Sequence, residues 1–171
     1  MNYYTKIFLL FFFLLLISSC KNEKKIRISR SNVLIKKKDG LIYKQKSDIP
    51  YSGIIIDTLN GRIMEYNVKN GLKNGLFKVS HLNGQIEMIG NITNDKNEGE
   101  WKYYYPNGQL ESVGDFKNDT PSGKWAFYYG TGKKKEEGKY ISGKRDGKWI
   151  KYDSTGKVMG FTNFSKGDTV K

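Results

Sequence analysis

The chain offers few residues whose types and spacing could do chemistry. Among its 171 residues there is one cysteine, Cys20, and one histidine, His81. A lone thiol makes no intramolecular disulfide, so a small secreted fold stapled by bridges is excluded. One histidine and one cysteine do not make a His/Cys metal cluster, and neither metal nor cofactor is expected. Gly130-Thr131-Gly132-Lys133 has the residues of a phosphate loop without its spacing, and it falls between two strand-like runs. Glu98 with Glu100, and Glu136 with Glu137, are neighbouring carboxylates of the kind acid–base catalysis uses. Nothing in the sequence draws either pair into a cleft, and charge on a strand face is the simpler reading. His81 stands where later units have Tyr105 and Tyr129, and reads as a surface or half-buried strand residue. No catalytic constellation emerges, and the expectation is that the chain is not an enzyme.

Cys20 differs because of what precedes it. Lys6 supplies a positive charge, and Ile7 to Ile17 is an unbroken apolar run of 11 residues. That is short of the roughly 20 residues a spanning helix needs, and it fits the apolar region of a signal peptide. Ile17-Ser18-Ser19-Cys20 resembles the bacterial lipobox, in which a diacylglyceryl group is placed on the cysteine and cleavage follows just before it. The resemblance implies a helical signal peptide over residues 1–19, lipidation at Cys20, and a lipid-anchored protein of the bacterial cell envelope. Which membrane holds it stays open. Residues 20–38 then form a basic tether, with Lys21, Lys24, Lys25, Arg27, Arg30 and Lys36-Lys37-Lys38 set against Glu23 alone. Such a segment either lies on anionic lipid, at about 1 kcal/mol per basic residue near the surface, or is a solvated linker. Ile26-Arg27-Ile28 and Val33-Leu34-Ile35 within it have the composition of edge strands.

The remaining residues, 39–171, are organised by a repeat. Unit openings fall at Gly53, Gly75, Gly99, Gly123 and Gly147, and the last three steps are each 24 residues. Two residues on stand Phe77, Trp101, Trp125 and Trp149, with Ile55 in the first unit. Mid-unit glycines at Gly84, Gly108, Gly132 and Gly156 keep the same step, as do Gly90, Gly114 and Gly138. Each unit reads as a β-hairpin. Trp101, Tyr103 and Tyr105 alternate with Lys102 and Tyr104, a period of two. Asn60-Gly61, Asn83-Gly84 and Asn107-Gly108 are hairpin turns, because these residue types tolerate positive φ. Return strands end at Gly71, Asp95, Asp119, Gly143 and Gly167, where a second set of turns is expected. The predicted fold is all-β: an elongated array of antiparallel hairpins whose equivalent aromatics stack as a ladder. A lone hairpin is marginal in water, so the units stabilise one another.

With these residues in view, the chain resembles the bacterial MORN-repeat variant family, most closely its YwqK-type antitoxin members. Gly114-Asp115-Phe116-Lys117-Asn118 leading to Gly123-Lys124-Trp125 carries the resemblance, as does Gly138-Lys139-Tyr140 leading to Gly147-Lys148-Trp149. Tyr104-Tyr105-Pro106-Asn107-Gly108 matches the hairpin element. The family implies membrane-proximal scaffolding, contact with lipid surfaces and protein–protein interaction. The antitoxin label implies an alternative, the neutralising of a partner toxin. An enzyme acting on envelope polymer is a third reading, and needs carboxylates converging in a pocket.

The formal charge of +13 invites an anionic partner. The lysines of the repeats are dispersed, however, as expected of residues on the solvent side of strands that also deter edge-to-edge pairing. No nucleic-acid partner is expected. The tryptophans read as core. Tyr104, Tyr128 and Tyr152 fall on the opposite strand face and are the candidate interaction surface, for a protein, an anionic surface or a glycan.

Overall fold

A computed structural model describes residues 27–35 and 39–170. The expected signal helix and Cys20 lie outside the described residues. Three short strands come first: β1 (Arg27–Ser29), β2 (Val33–Ile35) and β3 (Ile42–Lys44). The repeats then supply β4 (Gly53–Leu59), β5 (Arg62–Lys69), β6 (Leu72–His81), β7 (Ile86–Thr93) and β8 (Lys96–Tyr104). They continue with β9 (Leu110–Lys117), β10 (Thr120–Tyr128), β11 (Lys134–Ile141), β12 (Lys144–Tyr152), β13 (Val158–Ser165) and β14 (Asp168–Val170). Strands β4 to β14 pair in sequence order as an antiparallel meander, and β1 adds parallel to β4, which makes one sheet of 12 strands. β2 and β3 form a separate two-stranded sheet.

Two kinds of turn alternate along the sheet. At one edge, return strands end in two-residue turns with positive φ at both positions, as at Asn94-Asp95 (49° and 65°) and Asn118-Asp119 (48° and 65°). This is the turn whose twist matches paired strands. Asp95 and Asp119 also tie each turn to the previous unit. Their backbone N–H groups donate to the carbonyls of Lys73 and Asn97, and their carboxylates accept from the N–H of the same two residues. At the other edge the turns differ from expectation. Asn60 does take positive φ, but Asn83 and Asn107 do not, and there only the glycine does. These are three-residue loops in which Gly84 and Gly108 hold the left-handed position. The asparagines act through their side chains instead: Asn83 Oδ1 accepts from the Gln85 N–H at 3.0 Å, and Asn107 Oδ1 from the Gln109 N–H at 3.1 Å.

One face of the sheet carries the rings. Trp101, Trp125 and Trp149 are 3%, 7% and 0% exposed, although the sheet is a single layer. The reason is local. Each indole lies flat over a glycine of the preceding return strand, and a Cβ on Gly90, Gly114 or Gly138 would stand 2.1–2.2 Å from its ring. Each Nε1–H donates to the carbonyl one residue beyond that glycine, in Asn91, Asp115 and Lys139, at 3.1–3.2 Å. The expected ladder is present with a refinement. Successive tryptophans are joined through the return-strand ring between them, edge to face: Trp101–Phe116–Trp125–Tyr140–Trp149–Phe164, with centroids 5.1–6.3 Å apart. Edge-to-face packing suits rings with a negative face and positive rim.

The first unit is capped. Val33, Ile42, Tyr51, Ile55, Tyr66 and Val68 form a buried cluster, with Ile28 and Phe77 packed against it. Ile28 and Val33 come from the stretch assigned to the tether, so the ordered body begins before Asp39. The edge-strand composition of 26–28 and 33–35 was the informative signal, and burial of Val33 against the first unit is what orders it.

Candidate functional site

The face opposite the tryptophans is built by register. Lys102 pairs with Val113, Val113 with Ala126, Ala126 with Glu137, and Glu137 with Ile150. Residues directly opposite one another across strands share a face, so these five form one row across β8 to β12. Tyr104, Tyr128 and Tyr152 each close a long strand of that row's hairpins and are half-buried. They sit two strands apart, about 10 Å by strand spacing. The structure therefore keeps the three tyrosines as an aligned series rather than one cluster.

Around Tyr128 the face dips into a hollow of about 670 Å³. Val113, Ala126, Tyr128, Glu137 and Ile150 are among the residues that line it. The Glu137 carboxylate is held from both sides. The Tyr152 hydroxyl donates to Oε1 at 2.5 Å and Lys134 Nζ donates to Oε2 at 2.8 Å. These two donors, Lys134 first, hold its pKa below the usual carboxylate range. The same carboxylate pushes the Tyr152 hydroxyl and the Lys134 ammonium above their ordinary values. Lys134 also lies 5.7 Å from the Tyr152 ring centroid, within cation–π reach.

Glu136, next in sequence, points to the other face. It makes a two-pronged ion pair with Arg145, at 3.0 and 2.8 Å. The Arg145 guanidinium lies 4.0 Å from the Trp149 ring centroid and 5.4 Å from that of Phe164, closing the ladder near its end. The adjacent carboxylates thus do not act together. Glu98 accepts from the Asn118 N–H, and Glu100 pairs with Lys102. His81 is half-buried at the end of β6. Gly130 to Lys133 is the turn between β10 and β11, as its composition predicts. Among the described residues, no group of three or more His, Cys, Asp or Glu is placed to hold a metal ion, and no helix is long and apolar enough to cross a membrane.

The first hairpin of this row is β8–β9, with its three-residue turn and its Trp101 laid over Gly90. Residues 97–118 match the family model described as a MORN repeat variant. The MORN match begins in β8 and ends in the turn after β9, one hairpin of the array, and the hairpins after it keep its 24-residue step. No curated protein matches the chain. Two residues of the hollow escape motif reading because they lie outside the repeat's shared pattern: Ala126, which differs from every equivalent residue, and Glu137, whose carboxylate recurs only at Glu65. Comparing equivalent positions from unit to unit is the signal that finds them.

Proposed function

We propose that the chain is a non-enzymatic interaction module of the bacterial cell envelope, held at a membrane through lipid on Cys20, with the Tyr104–Tyr128–Tyr152 face as its docking surface. A MORN repeat suggests a module that contacts protein or lipid. One observation supports the choice of face. The tryptophan side is filled along its length by its own rings and keeps a hollow of about 290 Å³ beside Glu136 and Arg145, whereas the tyrosine side carries the larger one, about 670 Å³, around Tyr128. The Glu137 carboxylate there is already engaged by two donors and kept ionised, an arrangement suited to positioning rather than to giving up a proton.

Charge supports the membrane half of the reading. Eight of the 30 basic residues and one of the 17 acids fall in residues 20–38, so that stretch carries +7 of the +13. The charge is concentrated beside Cys20 more than the dispersed lysines of the repeats suggest. Basic residues there add electrostatic attraction to anionic lipid, and stable anchoring takes more than one such signal. Mass spectrometry of the membrane-extracted protein tests the anchor, with acylated Cys20 as the expected result and a free or absent Cys20 as the refuting one. Photo-crosslinkers placed at Tyr128 and, as control, at Tyr103 test the face. A partner captured only from Tyr128 is expected, and equal capture from both positions would remove the assignment.

A further inference from the structure

Ala126 is the only alanine in the chain. At the same position the other units have Ile56, Lys78, Lys102 and Ile150. Directly across from it on β11 stands Glu137, where the first unit has Glu65 and the others have Ile89, Val113 and Phe161. A departure from the repeat and a carboxylate shared only with the first unit therefore sit side by side on the tyrosine face. One removes a side chain that its equivalents fill with four or more heavy atoms. The other places a carboxylate against the space so made, and Tyr152 and Lys134 fix its direction. The hollow follows from these two residues, and its volume lies within the range of small-ligand sites, roughly 300–1,000 Å³.

Its charge decides what fits. Four lysines and four acids line it, so its formal charge is zero. An anionic polymer would meet repulsion from Glu100, Asp115, Glu137 and Asp146 as well as attraction. A wholly apolar ligand would strip water from ionised groups and offer nothing in return. A ring bearing several hydroxyls suits both signs at once, because each hydroxyl donates to a carboxylate and accepts from an ammonium. Its C–H face would lie on Ala126 and against Tyr128. We propose that the hollow over Ala126 is a binding site for a neutral saccharide segment. The proposal rests on reading the tyrosine face as the interaction surface, and supplies the ligand class for it.

The test uses the full-length chain in detergent, with maltotriose, cellotriose and chitotriose as neutral probes and trigalacturonate as the anionic comparison. Saturation-transfer NMR reads contact between protein and sugar C–H protons. At least one neutral trisaccharide is expected to receive saturation, more strongly than trigalacturonate. Ala126→Ile should reduce that signal at least tenfold while the melting temperature holds, since Ile150 shows that the repeat accepts isoleucine at this place. Should that variant misfold, Glu137→Gln keeps the shape and should weaken binding several-fold by removing the charged acceptor. Saturation of no neutral sugar, a signal that survives both substitutions, or preference for trigalacturonate would each overturn the proposal. The broader reading fails separately: it falls if crosslinking at Tyr128 and at Tyr103 gives the same result, whatever the sugars do.

Discussion

Gly114→Ala is the sharpest test of how a single-layer sheet buries its tryptophans. The substitution adds one carbon, which would stand 2.1 Å from Cδ2, 2.3 Å from Cε2 and 2.4 Å from Cγ of Trp125. Carbon–carbon contacts settle near 3.5–4.0 Å, so the indole must lift by roughly 1.5 Å. It is not free to do so. Its Nε1–H is bonded to the Asp115 carbonyl at 3.1 Å, and its ring packs on Phe116 and Phe127 at 5.3 and 5.9 Å. Gly114 does not have positive φ, so alanine introduces no backbone strain and by strand preference gains about 0.5–1 kcal/mol over glycine. Overpacking costs about 1–3 kcal/mol, and loss of the indole hydrogen bond adds about 0.5–1.5 kcal/mol. The net expectation is destabilisation of about 1–3 kcal/mol, near 2–4 °C of melting temperature per kcal/mol for a chain of this size. Thermal unfolding followed by tryptophan emission measures it. Gly99→Ala is the comparison: its Cβ would meet nothing within 4 Å, but φ there is +69°. That variant should lose about 1–2 kcal/mol through left-handed strain, with Trp emission unchanged in the folded state. Trp125→Phe combined with Gly114→Ala should cost less than the two singles together, because the smaller ring relieves the clash. A Gly114→Ala protein as stable as the parent, with unshifted emission, would refute the account.

Three further outcomes follow from the same structure. Arg145→Ala should uncover Trp149 and leave Glu136 without its partner, at a cost of roughly 1–2 kcal/mol; acrylamide quenching of tryptophan should increase, and unchanged quenching would contradict the stacking. Tyr105→Phe and Tyr129→Phe each remove a 2.8 Å hydrogen bond to the next unit, at the carbonyls of Tyr128 and Tyr152; each should cost about 0.5–1.5 kcal/mol in chemical denaturation. Glu137 has a lowered pKa in the folded chain, so its contribution is present above the ordinary carboxylate range and fades as pH falls through the lowered value. Carbon-detected NMR should place its titration below the ordinary carboxylate range, and a midpoint at or above that range would contradict the Tyr152–Glu137–Lys134 arrangement.

Much of the fold is legible in the sequence because hairpin chemistry is local. Asn94-Asp95, Asn118-Asp119 and the mid-unit glycines specify turns within a few residues, and the alternation around Trp101 specifies which side chains share a face. The reading fails where a residue type has two ways of making a turn. Asn83 and Asn107 have the composition for positive φ, yet they bond the backbone through the side chain while glycine takes the left-handed position. At residues 27–35 the sequence carries both a basic composition and two edge-strand runs, and the place that Val33 and Ile28 find against the first unit depends on distant residues.

The sequence by itself determined the period, the strand faces and the turn positions, since each depends on residues near one another in the chain. It also marked Gly90, Gly114 and Gly138 as recurring in the second to fourth units without saying why. Only the tertiary structure decided that these glycines are seats for the indoles of the following strand. It alone gave Glu136 and Glu137 their different partners, and brought Ala126, Glu137 and Ile150 from three strands to one hollow. Register between strands, not sequence separation, fixes which side chains meet, and register becomes definite only when the whole sheet has formed.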